Sequence, residues 1–70
     1  MRDTVPGFGK RLRAIREAKG MDQASLARAV GIDRYRVCRY ETTDKTPSLA
    51  TAARLAKALD VPLEKLLNGS

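Results

Sequence analysis

Apolar residues recur along most of the chain at helical spacing, and no segment shows the strict alternation of a half-buried strand. At the start of this pattern, Phe8, Leu12 and Ile15 stand at i, i+4 and i+7, on one face of a predicted helix from Phe8 to Lys19. Gly20 follows as a left-handed stop, a conformation that glycine adopts at little steric cost. The pattern predicts an all-α fold.

Aspartate and glycine mark the ends of the next two helices. Asp22 can cap a helix over Gln23–Val30 by accepting backbone N–H groups of its first turn, and Gly31 ends that helix with a positive φ. Asp33 can cap a third helix that runs from Arg34 to about Thr42. A short turn therefore joins the second and third helices.

A polar loop from Thr43 to Pro47 leads to two more helices. Ser48 is placed to cap a fourth helix. Its predicted buried face consists of Leu49, Ala52, Leu55, Ala56 and Leu59. The Val61-Pro62 pair ends it, and a short fifth helix follows. That helix carries Leu63, Leu66 and Leu67 before Asn68-Gly69. The sequence therefore predicts one compact five-helix domain over residues 1–70, with residues 1–6 as a flexible N-terminal arm.

The second and third helices together have the features of a helix-turn-helix. Ala27 supplies the small side chain needed where two helices cross closely, and Gly31 supplies the positive φ of a tight turn. At about 100° per residue, Val37 and Tyr40 fall on one side of the third helix. The opposite side carries Tyr35, Cys38, Arg39 and Thr42, with Arg34 projecting from the helix start. A helix anchored on one side and polar on the other is suited to reading DNA.

The charge of the chain favours a polyanionic partner. Its 70 residues include 14 Lys and Arg against 8 Asp and Glu, a formal net charge of +6. Nucleic acid fits better than a membrane surface, because no segment is strongly apolar on one face and basic on the other. Charge alone fits a solvated surface equally well. No apolar stretch approaches the length of a membrane span or a signal-peptide core, so a soluble, cytoplasmic protein is expected.

The sequence offers no residues for catalysis or metal binding. It contains no histidine, which excludes a Cys/His zinc site, and its single cysteine, Cys38, excludes an internal disulfide. The GFGK stretch over Gly7–Lys10 lacks the spacing, the following Ser or Thr and the preceding strand of a phosphate-binding loop. Without a nucleophile–base pair, we predict no enzyme, no metal and no cofactor. Cys38 is better explained as a small residue at the groove face than as a redox sensor.

Three segments, in order, carry a family resemblance: LRAIREAKGMDQASLARAVGI, the RYE that closes the third helix, and PSLATAARLAKALDVPLEKLL. Over roughly Phe8 to Leu67 the chain resembles the lambda-repressor-like helix-turn-helix family, which includes phage Cro proteins and xenobiotic-response-element-type bacterial regulators. The resemblance implies a bacterial or phage-encoded transcriptional regulator, a repressor. It also implies that a dimer binds an inverted repeat in duplex DNA, with the third helix in the major groove.

The resemblance also assigns roles to individual residues. The family's base-reading positions match Arg34 and Tyr35 at the start of the third helix and Arg39 one turn further on. Arg34 can contact a base or a phosphate, and Tyr35 can pack on a thymine methyl or hydrogen-bond a phosphate. The family glutamine that opens the second helix and grips a phosphate matches Gln23. Thr43 and Lys45 match the place where the loop after the third helix approaches the DNA backbone, and phosphate contacts are expected there. Arg36 points toward the flank of the third helix, which favours a phosphate contact or plain solvation over base reading.

The family pattern also bears on how the domain is held together, through one residue pair that this chain shares and two positions where it differs. Arg16 and Glu41 match a family pair that ties the first helix to the end of the third. After this glutamate the family often has Asn or Arg and then Gly, whereas this chain has Thr42-Thr43. A β-branched residue resists positive φ, so we expect a different exit from the third helix. Asp60 stands where glycine is common, although aspartate tolerates left-handed geometry.

The sequence leaves open which residues would form a dimer contact and whether the chain has another protein partner. The family's dimer contact lies around the fourth and fifth helices, which points to Val61, Leu63, Leu66 and Leu67, although each could equally serve only to close the core. The same fold also serves as an antitoxin or another protein-interaction module, with a protein partner. RNA binding is disfavoured, because the aromatic stacking residues of single-strand readers are lacking.

Overall fold

The computed structural model describes residues 5–43 and 45–68. Within these residues the chain forms five α-helices: α1 Phe8–Ala18, α2 Gln23–Val30, α3 Arg34–Thr43, α4 Leu49–Ala58 and α5 Leu63–Leu67. The predicted all-α, five-helix architecture is confirmed. The helix ends differ slightly, because α1 ends one residue before its predicted end and α3 continues one residue beyond it.

The predicted helix caps are present. First-turn N–H groups of α2, α3 and α4 are bound by the side chains of Asp22, Asp33 and Ser48, with N···O distances of 2.7, 2.9 and 3.3 Å. Gly20 and Gly31 have φ of +72° and +85°, as expected for left-handed helix stops. The turn between α2 and α3 is thus fixed by a glycine on one side and a capping aspartate on the other.

At the end of α3, Thr43 stands where the family often has glycine. The Thr42 hydroxyl donates to the Cys38 carbonyl at 2.9 Å, and the Thr43 hydroxyl donates to the Arg39 carbonyl at 2.6 Å. α3 continues through Thr43, and neither threonine is at positive φ. Hydroxyl bonds of this kind to the carbonyl four residues earlier are compatible with helical backbone. Asp60, by contrast, is left-handed, with φ of +58°.

The core is aliphatic except for one phenylalanine. α1 packs against α3 and α5, α2 packs against α3 and α4, and α4 packs against α5. The largest fully buried side chains are Phe8, Leu12, Leu26, Val37, Leu55, Leu59 and Leu66. Leu49, predicted on the buried face of α4, is instead 71% exposed, because the buried face of this helix begins only at Ala52. Val37 anchors α3, and Tyr40 packs beside it against the same cluster. Leu66 belongs to the core of one protomer, so its side chain does not lie on a surface that a second copy could reach.

The beginning of the described chain is tied to the loop before α4. The Val5 backbone N–H donates to the Thr46 hydroxyl at 2.8 Å, and the Val5 side chain packs against the core. Residues 1–4 of the predicted flexible arm, and residue 44 of the predicted loop, lie outside the described residues. Over residues 5–43 and 45–68, no helix is long and apolar enough to cross a membrane.

Candidate nucleic-acid interface

The face of α3 that points away from the core is open to solvent. Tyr35 is 66% exposed, the highest exposed fraction of any aromatic side chain in the described chain. Arg34, Arg39 and Thr42 are also exposed, and Cys38 is half-buried. The predicted division of α3 into an anchored side and a free side is therefore confirmed. What the free side can bind depends on the charges and donors that it presents.

Two side chains on this free face contact each other. The Tyr35 hydroxyl accepts a hydrogen bond from Nη1 of Arg39 at 2.8 Å. The Arg39 guanidinium carbon lies 5.6 Å from the centroid of the Tyr35 ring. The i, i+4 spacing places both side chains on one helix face. The spacing could have predicted this contact, whereas the sequence analysis assigned Tyr35 and Arg39 independent contacts with bases.

The cations assigned to the interface have no acidic partner among the residues that the structure describes. In the described part of the chain, none of Arg34, Arg36, Arg39 and Lys45 lies within ion-pair distance of a carboxylate. All four side chains are exposed. Their positive charges are therefore available to an external anion, and a surface of this kind attracts the phosphates of nucleic acid.

Arg16 and Glu41 form the predicted structural pair beneath this surface. Nε of Arg16 lies 2.6 Å from Oε2 of Glu41, and Nη2 lies 3.1 Å from Oε1. The side chains are only 9% and 2% exposed. Nη1 of Arg16 also donates to the Met21 carbonyl at 2.8 Å. The hydrogen bond to Glu41 raises the pKa of the Arg16 guanidinium, which remains charged. The pair joins α1 to the end of α3 and does not face solvent.

Gln23 has a contact that the sequence did not reveal. Its amide Nε2 donates to Oε1 of Glu41 at 3.0 Å, and the side chain is half-buried at the start of α2. One N–H of this amide is therefore used inside the protein, and the other is left for a ligand. Because Gln23 and Glu41 are far apart in sequence, only the tertiary packing brings them together.

Two of the remaining predicted backbone-contact residues, Thr43 and Lys45, lie at the end of α3, and the third, Arg36, lies in its first turn. The Thr43 hydroxyl donates to a helix carbonyl, as described above, and also accepts the Lys45 backbone N–H at 3.3 Å. This contact shapes the exit from the helix and leaves the Lys45 ammonium in solvent. Arg36, on the flank of α3, is exposed as well.

No site for catalysis or metal binding emerges from the described residues. They contain no group of three His, Cys, Asp or Glu side chains that could hold a metal ion. An open groove of about 450 Å³ lies between α2 and α4. It is lined by Ala29, Val30, Arg54, Lys57 and Ala58, which include no carboxylate and no hydroxyl. The Lys57 amine therefore has no partner in this lining with which to form a nucleophile–base pair.

Known proteins share this architecture. The helix-turn-helix family model matches residues 12–66. The chain is 42% identical to the restriction-modification controller protein C.AhdI of Aeromonas hydrophila, with a TM-score of 0.80 over 84% of this chain and 86% of that one. It is 30% identical to the P22 c2 repressor, solved in complex with a synthetic operator, with a TM-score of 0.84 over 90% of this chain and 96% of that one.

Similarity extends to curated proteins. The SPbeta prophage-derived HTH-type transcriptional regulator YonR of Bacillus subtilis is 36% identical over 63 residues, which is 90% of this chain and 58% of YonR. The chain spans between 18% and 58% of the length of the curated relatives it matches.

The five-helix core and the exposed third helix define a DNA-binding domain of the helix-turn-helix class. The chain belongs to the helix-turn-helix family, in its lambda-repressor-like form. The domain is a DNA-binding module of transcriptional regulators and not an enzyme.

Proposed function

We propose that this chain is a sequence-specific transcriptional repressor that inserts α3 into the major groove of its operator. The observation that carries the proposal is the free face of α3, which is basic and exposed while Val37 holds the opposite face in the core. The likeness to the P22 c2 repressor, itself solved with an operator, supports this choice. A regulator of this kind acts where bacterial or phage DNA is transcribed, in the cytoplasm.

We assign base reading to Arg34, Tyr35 and Arg39. Arg39 lies mid-helix on the free face and has no acidic partner among the described residues, so its fork of donors can meet O6 and N7 of a guanine. Arg34, at the start of α3, reaches a neighbouring base or its phosphate. The exposed Tyr35 ring can pack against a thymine methyl.

We assign phosphate contacts to Gln23, to Arg36 on the flank of the first turn of α3, and to Thr43 and Lys45 at the end of that helix. The Glu41 carboxylate holds the Gln23 amide in one orientation at the N-terminus of α2. This end of a helix carries partial positive charge, so the free amide N–H and the helix terminus can share one phosphate. Such contacts fix the position of the protein on DNA without reading sequence.

We propose that the operator-bound form is a homodimer. A single α3 reaches few base pairs, and two copies related by a two-fold axis would recognise an inverted repeat. The connection between α4 and α5 offers half-buried apolar side chains at Val61, Leu63 and Leu67. Of these, Val61 and Leu63 pack against the protomer core, which leaves Leu67 as the best candidate for a contact between copies.

The deciding experiment titrates three variants against the preferred duplex and a single-base variant of it, at two salt concentrations. Arg39→Ala should cost about 1–3 kcal/mol on the preferred site and relax the choice of base there. Gln23→Ala should weaken both duplexes equally, because a phosphate looks alike at every base pair. Lys45→Ala should lower the slope of log affinity against log salt by about one unit.

These variants distinguish a base-reading surface from a general anion-binding one. The native protein must first prefer one duplex in a selection from random sequences. If Arg39→Ala then loses affinity equally on both duplexes, Arg39 contacts the backbone and the assignment of the reading face fails. If the native protein shows no preference among duplexes, the repressor function itself is wrong.

A further inference from the structure

We propose that Tyr35 is a positioning residue that sets the orientation in which Arg39 meets a guanine. This inference deepens the proposed function and rests on it. Its observation is the hydrogen bond from Nη1 of Arg39 to the Tyr35 hydroxyl, at 2.8 Å on an otherwise open helix face. Within the described chain, no other hydrogen bond holds the Arg39 side chain, and no carboxylate neutralises it.

The contact leaves one edge of the guanidinium free. An arginine can bind two acceptors side by side through Nε and Nη2, or through its two terminal nitrogens. In Arg39 the hydroxyl of Tyr35 occupies Nη1, which leaves the Nε–Nη2 edge without a partner among the described residues. That edge is the one that meets a pair of acceptors elsewhere in this protein. Arg16 uses it on the two Glu41 oxygens, and Arg11 uses it on two backbone carbonyls.

The free edge matches a guanine. O6 and N7 are two adjacent acceptors in the major groove, and adenine replaces O6 by an amino donor that the guanidinium would repel. A long arginine side chain loses rotamer freedom when it is fixed on a base. The Tyr35 contact imposes part of that restriction before DNA arrives. It therefore favours the acceptor pair that suits the free Nε–Nη2 edge in its fixed orientation. Tyr35 therefore raises guanine preference through Arg39, without needing a base contact of its own.

The experiment is a double-mutant cycle on duplexes that differ only at the base pair whose identity Arg39→Ala relaxes. Tyr35→Phe keeps the ring and removes only the hydroxyl. We expect it to lower the preference for guanine over adenine by about three- to tenfold, the range for one lost hydrogen bond. In the Arg39→Ala background the same change should have no further effect. A third duplex with 7-deazaguanine, which lacks the N7 acceptor, should bind native protein and Tyr35→Phe alike.

The matched control is Tyr40→Phe, which removes a hydroxyl from the other tyrosine of α3, on the anchored side. It should leave the guanine preference unchanged. Thermal unfolding of Tyr35→Phe should match that of the native protein, because Tyr35 is exposed. This readout separates a change in recognition from a change in stability.

Three outcomes would overturn the inference. If Tyr35→Phe weakens binding by the same factor with and without Arg39, the hydroxyl contacts DNA directly. If Tyr35→Phe leaves the guanine preference intact while Arg39→Ala abolishes it, Arg39 reads the base unaided, and the proposed function survives without the inference. If Arg39→Ala relaxes no base pair at all, base reading by Arg39 fails and the positioning role fails with it.

Discussion

At the scale of single residues, Glu41 is the side chain whose removal we expect to cost the most free energy of unfolding. Its carboxylate is 2% exposed and accepts hydrogen bonds from Arg16 and Gln23. Glu41→Ala would leave the buried guanidinium of Arg16 with the Met21 carbonyl and a distant contact to Glu17, at 4.0 Å. Removing one member of a buried pair costs about 3–5 kcal/mol, so we expect that loss in the free energy of unfolding, measured by urea titration.

The control for this variant is Arg36→Ala, on the exposed flank of α3. It should change the free energy of unfolding by no more than about 0.5 kcal/mol. Equal urea midpoints for Glu41→Ala and Arg36→Ala would show that the pair contributes little to stability.

Asp22 gives the domain a pH-dependent helix cap. Its pKa is lowered because the carboxylate accepts the Ser25 backbone N–H, with a smaller contribution from the Ser25 side chain. In the unfolded chain an aspartate has a pKa of about 3.9, and the pKa of Asp22 in the folded domain lies below that. The stabilisation is therefore complete above the unfolded pKa and is lost as pH falls through the folded pKa.

Asp22→Asn tests this cap, since asparagine also caps helices but does not titrate. We expect the native protein to have a higher urea midpoint than the variant at about pH 6, and the difference to shrink as the pH falls below about 4, toward the lowered pKa of Asp22. A difference that stays constant over this range would contradict a titrating cap.

At the scale of helices, Arg11 supports an element too short to be stable alone. α5 has only 5 residues, and the last carbonyls of a helix lack partners within it. Nε and Nη2 of Arg11 donate to the Leu66 and Leu67 carbonyls, both at 2.9 Å. Arg11→Ala should therefore lower the free energy of unfolding by about 1.5–3 kcal/mol, the range for hydrogen bonds to a charged group.

NMR amide shifts locate the effect of this change. In Arg11→Ala they should move in α5, whereas the exposed neighbour Lys10→Ala should leave both the shifts and the urea midpoint nearly unchanged. Unchanged α5 signals in Arg11→Ala would mean that packing alone holds α5.

The helices and their caps could be predicted because their causes are local. Asp22, Asp33 and Ser48 each bind a backbone N–H only three residues away, which spacing alone reveals. The hydrogen bonds between side chains and groups distant in sequence could not be predicted in this way. The Gln23–Glu41 contact joins residues 18 positions apart, and the Arg11 contacts join residues 55 and 56 positions apart. Family resemblance supplied the Arg16–Glu41 pair but not the amide that shares its carboxylate.

At the scale of the whole molecule, assembly determines how much DNA is read. We expect half-sites about one helical turn apart, bound cooperatively by two copies. Leu67→Lys places a charge where we propose the two copies meet. It should abolish cooperativity on the inverted repeat while leaving affinity for a single half-site nearly intact, as measured by quantitative mobility shift.

Ala14→Lys is the matched control, because it adds the same charge at an exposed position of α1. It should leave cooperativity unchanged. Equal cooperativity in Leu67→Lys and Ala14→Lys would show that the dimer contact lies elsewhere. Strong selection of a single, non-repeated site by one copy would contradict the dimer itself.

The shared carboxylate of Glu41 also bears on how the domain opens. It joins α1, α2 and α3 through Arg16 and Gln23, so no one of these helices can detach without leaving a buried charge or amide unpaired. We therefore expect amide hydrogens in the cores of these three helices to exchange with deuterium through one common opening. A partly opened form of this cationic chain would still be drawn to any DNA, but without an ordered α3 it could not tell one site from another. We therefore expect the coupling of the three helices to keep such indiscriminate forms rare, so that discrimination between sites and the fold are lost together.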